Sequence, residues 1–330
     1  MQTLTLAIYD IETSNNPFIE TGTRGNWTLR PLDEIGFAVG VVRWVTFWRD
    51  AKGHVKRARR AENVHFSPVA LLDDLLRPWA HAVVGYNAVH FDNRVLTAAA
   101  VWPEPGVYLG IDPTTEEAAA LEERIAAAGV PRSAARYVSN LDPSAAEAFA
   151  ARAELHREHS RLILPGTVGI GARREHVLDV LDARTFDPLR VLGEMTGHPH
   201  VAKLDYFREG MKLDAFTVDG AELTGADVPR MWQEGLVWTV VDKCRHDVNV
   251  LEELMHHAFF GGAGARLQVP RLNRTYHAPD GSLVEVPIEA FLAPHADGNA
   301  ENRYRIPTAD WWDRVTDLAR SSRRPPGAPA

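Results

Sequence analysis

The stretch "LAIYDIETSNN" (6–16) places two carboxylates, Asp10 and Glu12, at the end of an apolar run. Leu4, Leu6, Ala7, Ile8 and Ile11 have the near-continuous apolar character of a strand buried on both faces, at the centre of a sheet covered by helices. Unpaired carboxylates at the end of such a strand repel each other and lose hydration, and a divalent cation is the most economical compensation. The same pair also suits a strand that ends in a polar turn with its acids in water.

Two further acids stand in contexts that bear on this choice. In "VVGYNAVHFDNRVL" (83–96), Asp92 falls in the first turn of a helix that follows a short strand, with Asn87 near the strand's end and Phe91 just before the acid. In "VVDKCRHDVNVLEEL" (240–254), Asp247 lies inside a long helix. Val240, Cys244, Val248, Leu251 and Met255 recur there at helical spacing and define the buried face, while Lys243 and Asp247 are four apart on an adjoining face. A strand-borne D-x-E, a helix-start Asp and a late helical Asp are thus available to converge at one edge of a sheet. As local features, Asp92 also fits a helix-start acid favoured by the macrodipole, and Lys243 with Asp247 an ordinary i,i+4 ion pair. His246, one residue before Asp247, is turned about 100° around the helix and is expected to point away from the acids.

The elements that must position these residues are legible in outline. "IGFAVGVVRWVTFWRD" (35–50) and "GHVKRARRAENVHF" (53–66) suit two strands joined by a turn at 50–53, a hairpin beside the first strand. "SPVALLDDLLRPWA" (67–80) has Ser67 as N-cap, Pro68 at the first position and leucines at helical spacing. A strand over 81–87 and a helix over 89–102 follow, giving β-β-β-α-β-α, an α/β pattern. From about 103 to 176 the composition becomes rich in Ala, Glu and Arg and reads as exposed helices inserted into the domain. The α/β pattern resumes with a strand at "EHVLDVLD" (175–182), a helix at "DPLRVLGEMTGH" (187–198) closed by Gly197, and one or two helices over 228–260. We therefore expect a domain over 1–264, a C-terminal extension over 265–320 with a hairpin turning at Asp280-Gly281 and a last helix, and a disordered tail over 321–330.

Composition bounds the function. The chain has 330 residues, 45% apolar and 24% charged, with a formal net charge of −8, an ordinary globular composition that argues against indiscriminate electrostatic binding to nucleic acid but leaves room for a local groove. The single cysteine, Cys244, excludes an intrachain disulfide and a Cys-based zinc site. No apolar run approaches the roughly 20 residues needed to span a bilayer, and the chain opens directly with a strand, so a cytoplasmic, non-membrane protein is expected. A Gly-rich phosphate loop, a dinucleotide fingerprint and a nucleophile elbow are all missing.

The order and contexts of the four acids resemble the DEDD exonuclease superfamily. Asn87, Phe91 and Asp92 match its "N-x-x-x-F-D" second motif, "HVLDVLD" a central "h-x-D" run, and Cys244, Asp247 and Val248 a final "C-x-x-D-V" motif. The resemblance covers roughly 3–102 and 175–260. It implies a ribonuclease H-like α/β fold, a mixed sheet flanked by helices, and 3′-to-5′ hydrolysis of phosphodiester bonds in single-stranded DNA or RNA. It also implies two ions, Mg²⁺ or Mn²⁺, roughly 3.5 to 4 Å apart, held by the oxygen ligands that these cations prefer. Asp10 would bridge both ions, Glu12 and Asp247 bind the nucleophile-side ion, and Asp92 help hold the other. Thr13, Asn87 and Phe91 are candidate substrate contacts, as are Lys56 and Arg57 of the run "KRARR", although that run equally suits a solvated edge strand. Trp44, Trp48, Trp232 and Trp238 fit core packing better than base stacking.

One feature departs from the pattern. Family members carry a Tyr four residues, or a His five residues, before the last Asp, and this chain has Lys243 and Asp242 at those positions. Lys243 can donate to water or to a phosphate oxygen, but nearby acids oppose the lowered pKa that a base would need. The alternatives to an exonuclease are a structure-selective nuclease and a catalytically weak nucleic-acid-binding or scaffolding protein on the same fold.

Overall fold

The structure is a computed structural model and describes residues 2–20, 27–29, 32–77, 79–100, 177–196, 202–260, 266–273, 275–277, 283–285, 304–308 and 310–321. The inserted helices expected over 103–176, the Asp280-Gly281 turn and the tail after 321 lie outside them.

Strand β1 (Gln2–Thr13) is the centre of the molecule. After the short β2 (Phe18–Glu20), β3 (Trp27–Leu29) and α1 (Leu32–Ile35), the long strands β4 (Phe37–Arg49) and β5 (Val55–His65) form the expected hairpin, with β4 antiparallel to β1. Helix α2 (Pro68–Leu75) opens as its sequence requires, the Ser67 side chain accepting from Ala70 N and Pro68 standing at the first turn. Strand β6 (Ala82–Val84) runs parallel to β1, and α3 (Asp92–Ala100) follows it. Within the run 175–182, the described residues do not form a strand. Residues 177–182 form a short helix, α4, in which Val177 and Leu181 share an inner face while Val180 is exposed. The strand that completes the sheet is the two-residue β7 (Thr185–Phe186), parallel to β6. A short run such as 177–181, four apolar residues around Asp179, is ambiguous between strand and helix, and the four-residue repeat of burial decides for the helix.

The resulting sheet has the order β5-β4-β1-β6-β7 and is mixed, its first three strands antiparallel and its last two parallel to β1. Beyond it lie α5 (Pro188–Thr196), α6 (Leu204–Gly210), the small hairpin β8 (Thr217–Val218) and β9 (Ala221–Glu222), α7 (Val228–Gln233) and the long α8 (Val237–Phe260), broken from α7 at Gly235, whose φ is +77°. Strands β10 (Arg266–Val269) and β13 (Tyr304–Pro307) pair with each other, as do β11 (Thr275–His277) and β12 (Leu283–Glu285), and α9 (Trp311–Ser321) follows them.

Alternation along β1 divides the core. Leu4, Leu6 and Ile8 join Val240, Cys244, Val248 and Leu251 of α8 on one face, and Ala7, Tyr9 and Ile11 join α2 and α3 on the other. The fold is therefore α/β, a five-stranded mixed sheet flanked by helices. Trp44 is buried, Trp232 and Trp238 pack around Phe66, and Trp48 lies under the Arg60 guanidinium, so all four tryptophans have packing roles. No helix among the described residues is long and apolar enough to cross a membrane.

Helix α8 is tied to the sheet by a buried ionic network. The Glu252 carboxylate has no exposed side-chain surface and meets Arg43 at 2.8 Å and Arg59 at 2.8 Å, with Arg57 at 3.4 Å. Arg57 also pairs with Glu253, and Arg43 with Glu62 at 2.6 Å. Arg57 is thus committed to the helix, and its partner in the ladder, Phe47, lies opposite Leu4. Leu4 stands six positions before Asp10 along β1, about 20 Å, so Arg57 and its exposed neighbour Lys56 lie well away from the acids along the sheet. Removing one member of a buried ion cluster strands the others. Glu252→Ala is expected to lower the urea-unfolding free energy by about 3 to 5 kcal/mol, and a loss below about 1 kcal/mol would contradict this role for the network.

Candidate metal centre

The two-residue period of a strand puts Asp10 and Glu12 on the same side of β1 as Leu6 and Ile8, the side that faces α8. Helix α8 brings Asp247 there, one turn beyond the buried Cys244. One oxygen from each of Asp10, Glu12 and Asp247 lies within 4.8 Å of the others. Glu12 is buried, and its Oε1 has no hydrogen-bond partner. A buried carboxylate oxygen without a donor is costly, and an oxygen-seeking cation is the ligand that this donor set fits.

The electrostatics agree with the geometry. Burial, then the charge of Asp247, pushes the Asp10 carboxyl up to about 8, with Lys243 and the Cys244 thiol opposing. Burial also raises Glu12 well above the usual carboxylate range, Lys243 again being the main opposing group. The Cys244 thiol, itself held protonated by burial, lies 3.3 Å from the Asp10 main-chain oxygen and supports that residue.

Asp92 is at the start of α3, as the sequence suggested, and is buried. It stands outside the three-carboxylate cluster but near enough that burial and then the charges of Asp10, Asp187 and Asp247 raise its pKa well above the ordinary value. Its neighbour Asn93 accepts from the Tyr9 hydroxyl and donates to Asp182 and to Thr185, at 3.2 Å for the latter. These contacts fix the first turn of α3 against the sheet. Gly85 sits where a Cβ would come within 2.8 Å of the Tyr9 ring, so only glycine lets β6 leave the sheet this close to Tyr9.

Lys243 is buried and ion-paired with Asp247, not displayed on an exposed helix face. Burial alone would lower its pKa, but the carboxylates of Asp247 and Glu12 outweigh that and hold the ammonium protonated above the ordinary lysine range. The group is therefore suited to donate a hydrogen bond rather than to accept a proton. His246 does not point away from the site. It is half-buried against Phe216, at 5.8 Å between ring centroids, and lines a cleft with Leu204, Leu223, Lys243 and Asp247. The turn of about 100° from Asp247 carries it toward the β8–β9 hairpin, an element whose place the sequence did not disclose.

The remaining candidates, Thr13, Phe91 and Asn87, lie in distinct settings. Thr13 is buried at the irregular end of β1, its hydroxyl donating to the Asn15 carbonyl at 3.0 Å. Phe91 is half-buried and packs on the α2–α3 side of the sheet, which makes it core and not a stacking wedge. Asn87 has φ +60°, a conformation that asparagine tolerates, and its Oδ1 is buried without a partner. Its loop is held by Asp187, which accepts from the main-chain N–H groups of Asn87 at 3.0 Å, Val89 at 3.1 Å and Leu189 at 2.9 Å. Sequence reasoning missed Asp187, although an Asp directly before a Pro at a helix start is a recognisable cap. Tyr9 was also missed; a tyrosine inside a buried strand signals that its hydroxyl has a partner.

Comparison with protein-family models, with curated proteins and with solved structures found no match to this chain.

The raised pKa of Asp10 has a measurable consequence. A carboxyl whose folded pKa stands above its unfolded value of 3.8 binds its proton more tightly when folded. Its contribution to stability is complete below the unfolded pKa and is lost as pH rises through the folded one, at about 8. The melting temperature of metal-free protein should therefore fall between about pH 5 and about pH 8 more steeply than that of Asp10→Asn. Equal slopes in the two proteins would contradict the strain assigned to Asp10.

Proposed function

We propose that the chain is a metal-dependent 3′-to-5′ exonuclease of the DEDD type, with a ribonuclease H-like fold, acting on single-stranded DNA or RNA. The observation that carries this reading is the meeting of Asp10, Glu12 and Asp247 from β1 and α8 around a buried, unpartnered Glu12 oxygen. The mixed sheet flanked by helices and the position of Asp92 at the head of α3 support it. The polarity of degradation comes from the family resemblance alone.

Asp10, Glu12 and Asp247 would hold Mg²⁺ or Mn²⁺, and the resemblance implies two ions, with Asp92 helping to hold the second. Held there, such ions would supply the acidity that generates a nucleophile from water at neutral pH and would offset charge at the leaving oxygen. The chain's own residues do the positioning. Cys244 braces Asp10, and the Tyr9–Asn93 pair fixes the turn that presents Asp92. Lys243, held protonated, is a donor for a phosphate oxygen. The cleft beside it offers Phe216, His246, Leu204 and Leu223 as surface for the sugar and base next to the scissile bond.

One observation favours a second reading, a catalytically weak nucleic-acid-binding or scaffolding protein: Lys243 occupies the place of the Tyr or His that serves the attacking water in the family and is engaged by Asp247. A single assay separates the two. With 5′-labelled single-stranded DNA and RNA and Mg²⁺ or Mn²⁺, the exonuclease reading expects a ladder shortening from the 3′ end, lost with chelator and reduced by about 10³-fold or more in Asp10→Ala. Binding without shortening on either substrate would overturn it in favour of the second reading.

A further inference from the structure

Lys243 poses a problem of charge. A lysine is almost never fully buried without a partner, and here the ammonium is buried and paired with Asp247, one of the three carboxylates that form the cation cluster. It contacts Asp247, and the other charges that act most strongly on it are Glu12 and Asp10. The neighbouring cations are committed elsewhere: Arg43, Arg57 and Arg59 surround Glu252, and Arg208 is engaged by Asp205 and Glu222.

The charges of the cluster then close without a second divalent ion. Three carboxylates carry −3, and one divalent ion with one ammonium carries +3. A second divalent ion would enter beside a fixed positive charge in a partly buried site, where like charges repel strongly. Asp92, the fourth acid, is not one of the three whose oxygens gather there, although it is near enough to interact with Asp10 and Glu12.

Resting on the metal-centre reading above, we propose that the Lys243 ammonium takes the place of one of the two divalent ions that the resemblance implies, so that the centre binds a single Mg²⁺ or Mn²⁺ on Asp10, Glu12 and Asp247. Lys243 stands as the built-in cation of the site, and its remaining protons face whatever anion enters the adjoining cleft.

The test counts ions on the full chain, without reference to activity. Mn²⁺ binding is measured by equilibrium dialysis and by the signal of free Mn²⁺ in electron paramagnetic resonance, with Asp10→Asn as the blank for adventitious surface sites and a melting curve to verify folding of each variant. The wild type should bind one ion above the blank. Lys243→Met should bind two, the first about tenfold or more tighter than in the wild type as the competing charge is removed, and Lys243→Arg should again bind one. Two ions on the wild type would overturn the proposal even if Lys243→Met failed to fold, as would a count of one with unchanged affinity in folded Lys243→Met. No binding above the blank in the wild type would overturn the proposal together with the metal-centre reading beneath it.

Discussion

Carboxylates crowded at the end of a buried strand repel one another and lose their water, and the arrangement around β1 answers to that repulsion. The D-x-E spacing makes it unavoidable, because strand alternation turns both acids toward α8, and α8 adds Asp247 to the same space. Left alone, three such groups would protonate or push the helix away. The raised pKa values of Asp10 and Glu12 record the first tendency, and the ammonium of Lys243 opposes it from inside the cluster. An oxygen-seeking cation completes what the ammonium begins.

Keeping α8 in place against that repulsion is the task of a second ionic group on the same helix. Glu252 draws Arg43, Arg57 and Arg59 from β4 and β5, and Arg43 stands opposite Ile8, two residues before Asp10. The network therefore fixes the register of the helix on the sheet one pleat away from the acids. Around it the packing is apolar, with Val240, Val248, Leu251 and Leu254 fully enclosed. At the β7 end of the sheet, Asp187 plays a comparable part, capping α5 and pinning the loop that carries Asn87 toward the head of α3.

Much of this was legible locally. The buried character of β1, the β4–β5 hairpin and the amphipathic face of α8 follow from patterns that span a few residues, whereas the convergence of Asp10, Glu12, Asp92 and Asp247 rested on the order of the acids and the family resemblance, and Asp92 stands outside the cluster that the other three form. Long-range partners were not legible. Lys56 and Arg57 drew attention as a basic run, but nothing in the run reveals that it lies at the far end of β5 and that Arg57 meets Glu252. The run 175–182 suits a strand in sequence because so short a stretch has no decisive period, whereas burial over 177–182 repeats at helical spacing. His246 was misplaced for a related reason: its angle on α8 is computable, but the β8–β9 hairpin that gives that angle a cleft is not.

The most direct test of the metal centre is an anomalous-scattering map from crystals soaked in Mn²⁺. The account predicts a peak within coordination distance of carboxylate oxygens from Asp10, Glu12 and Asp247, with the Glu12 oxygen that lacks a hydrogen bond among its ligands. A well-ordered site with no peak there, and Lys243 alone balancing the acids, would contradict it.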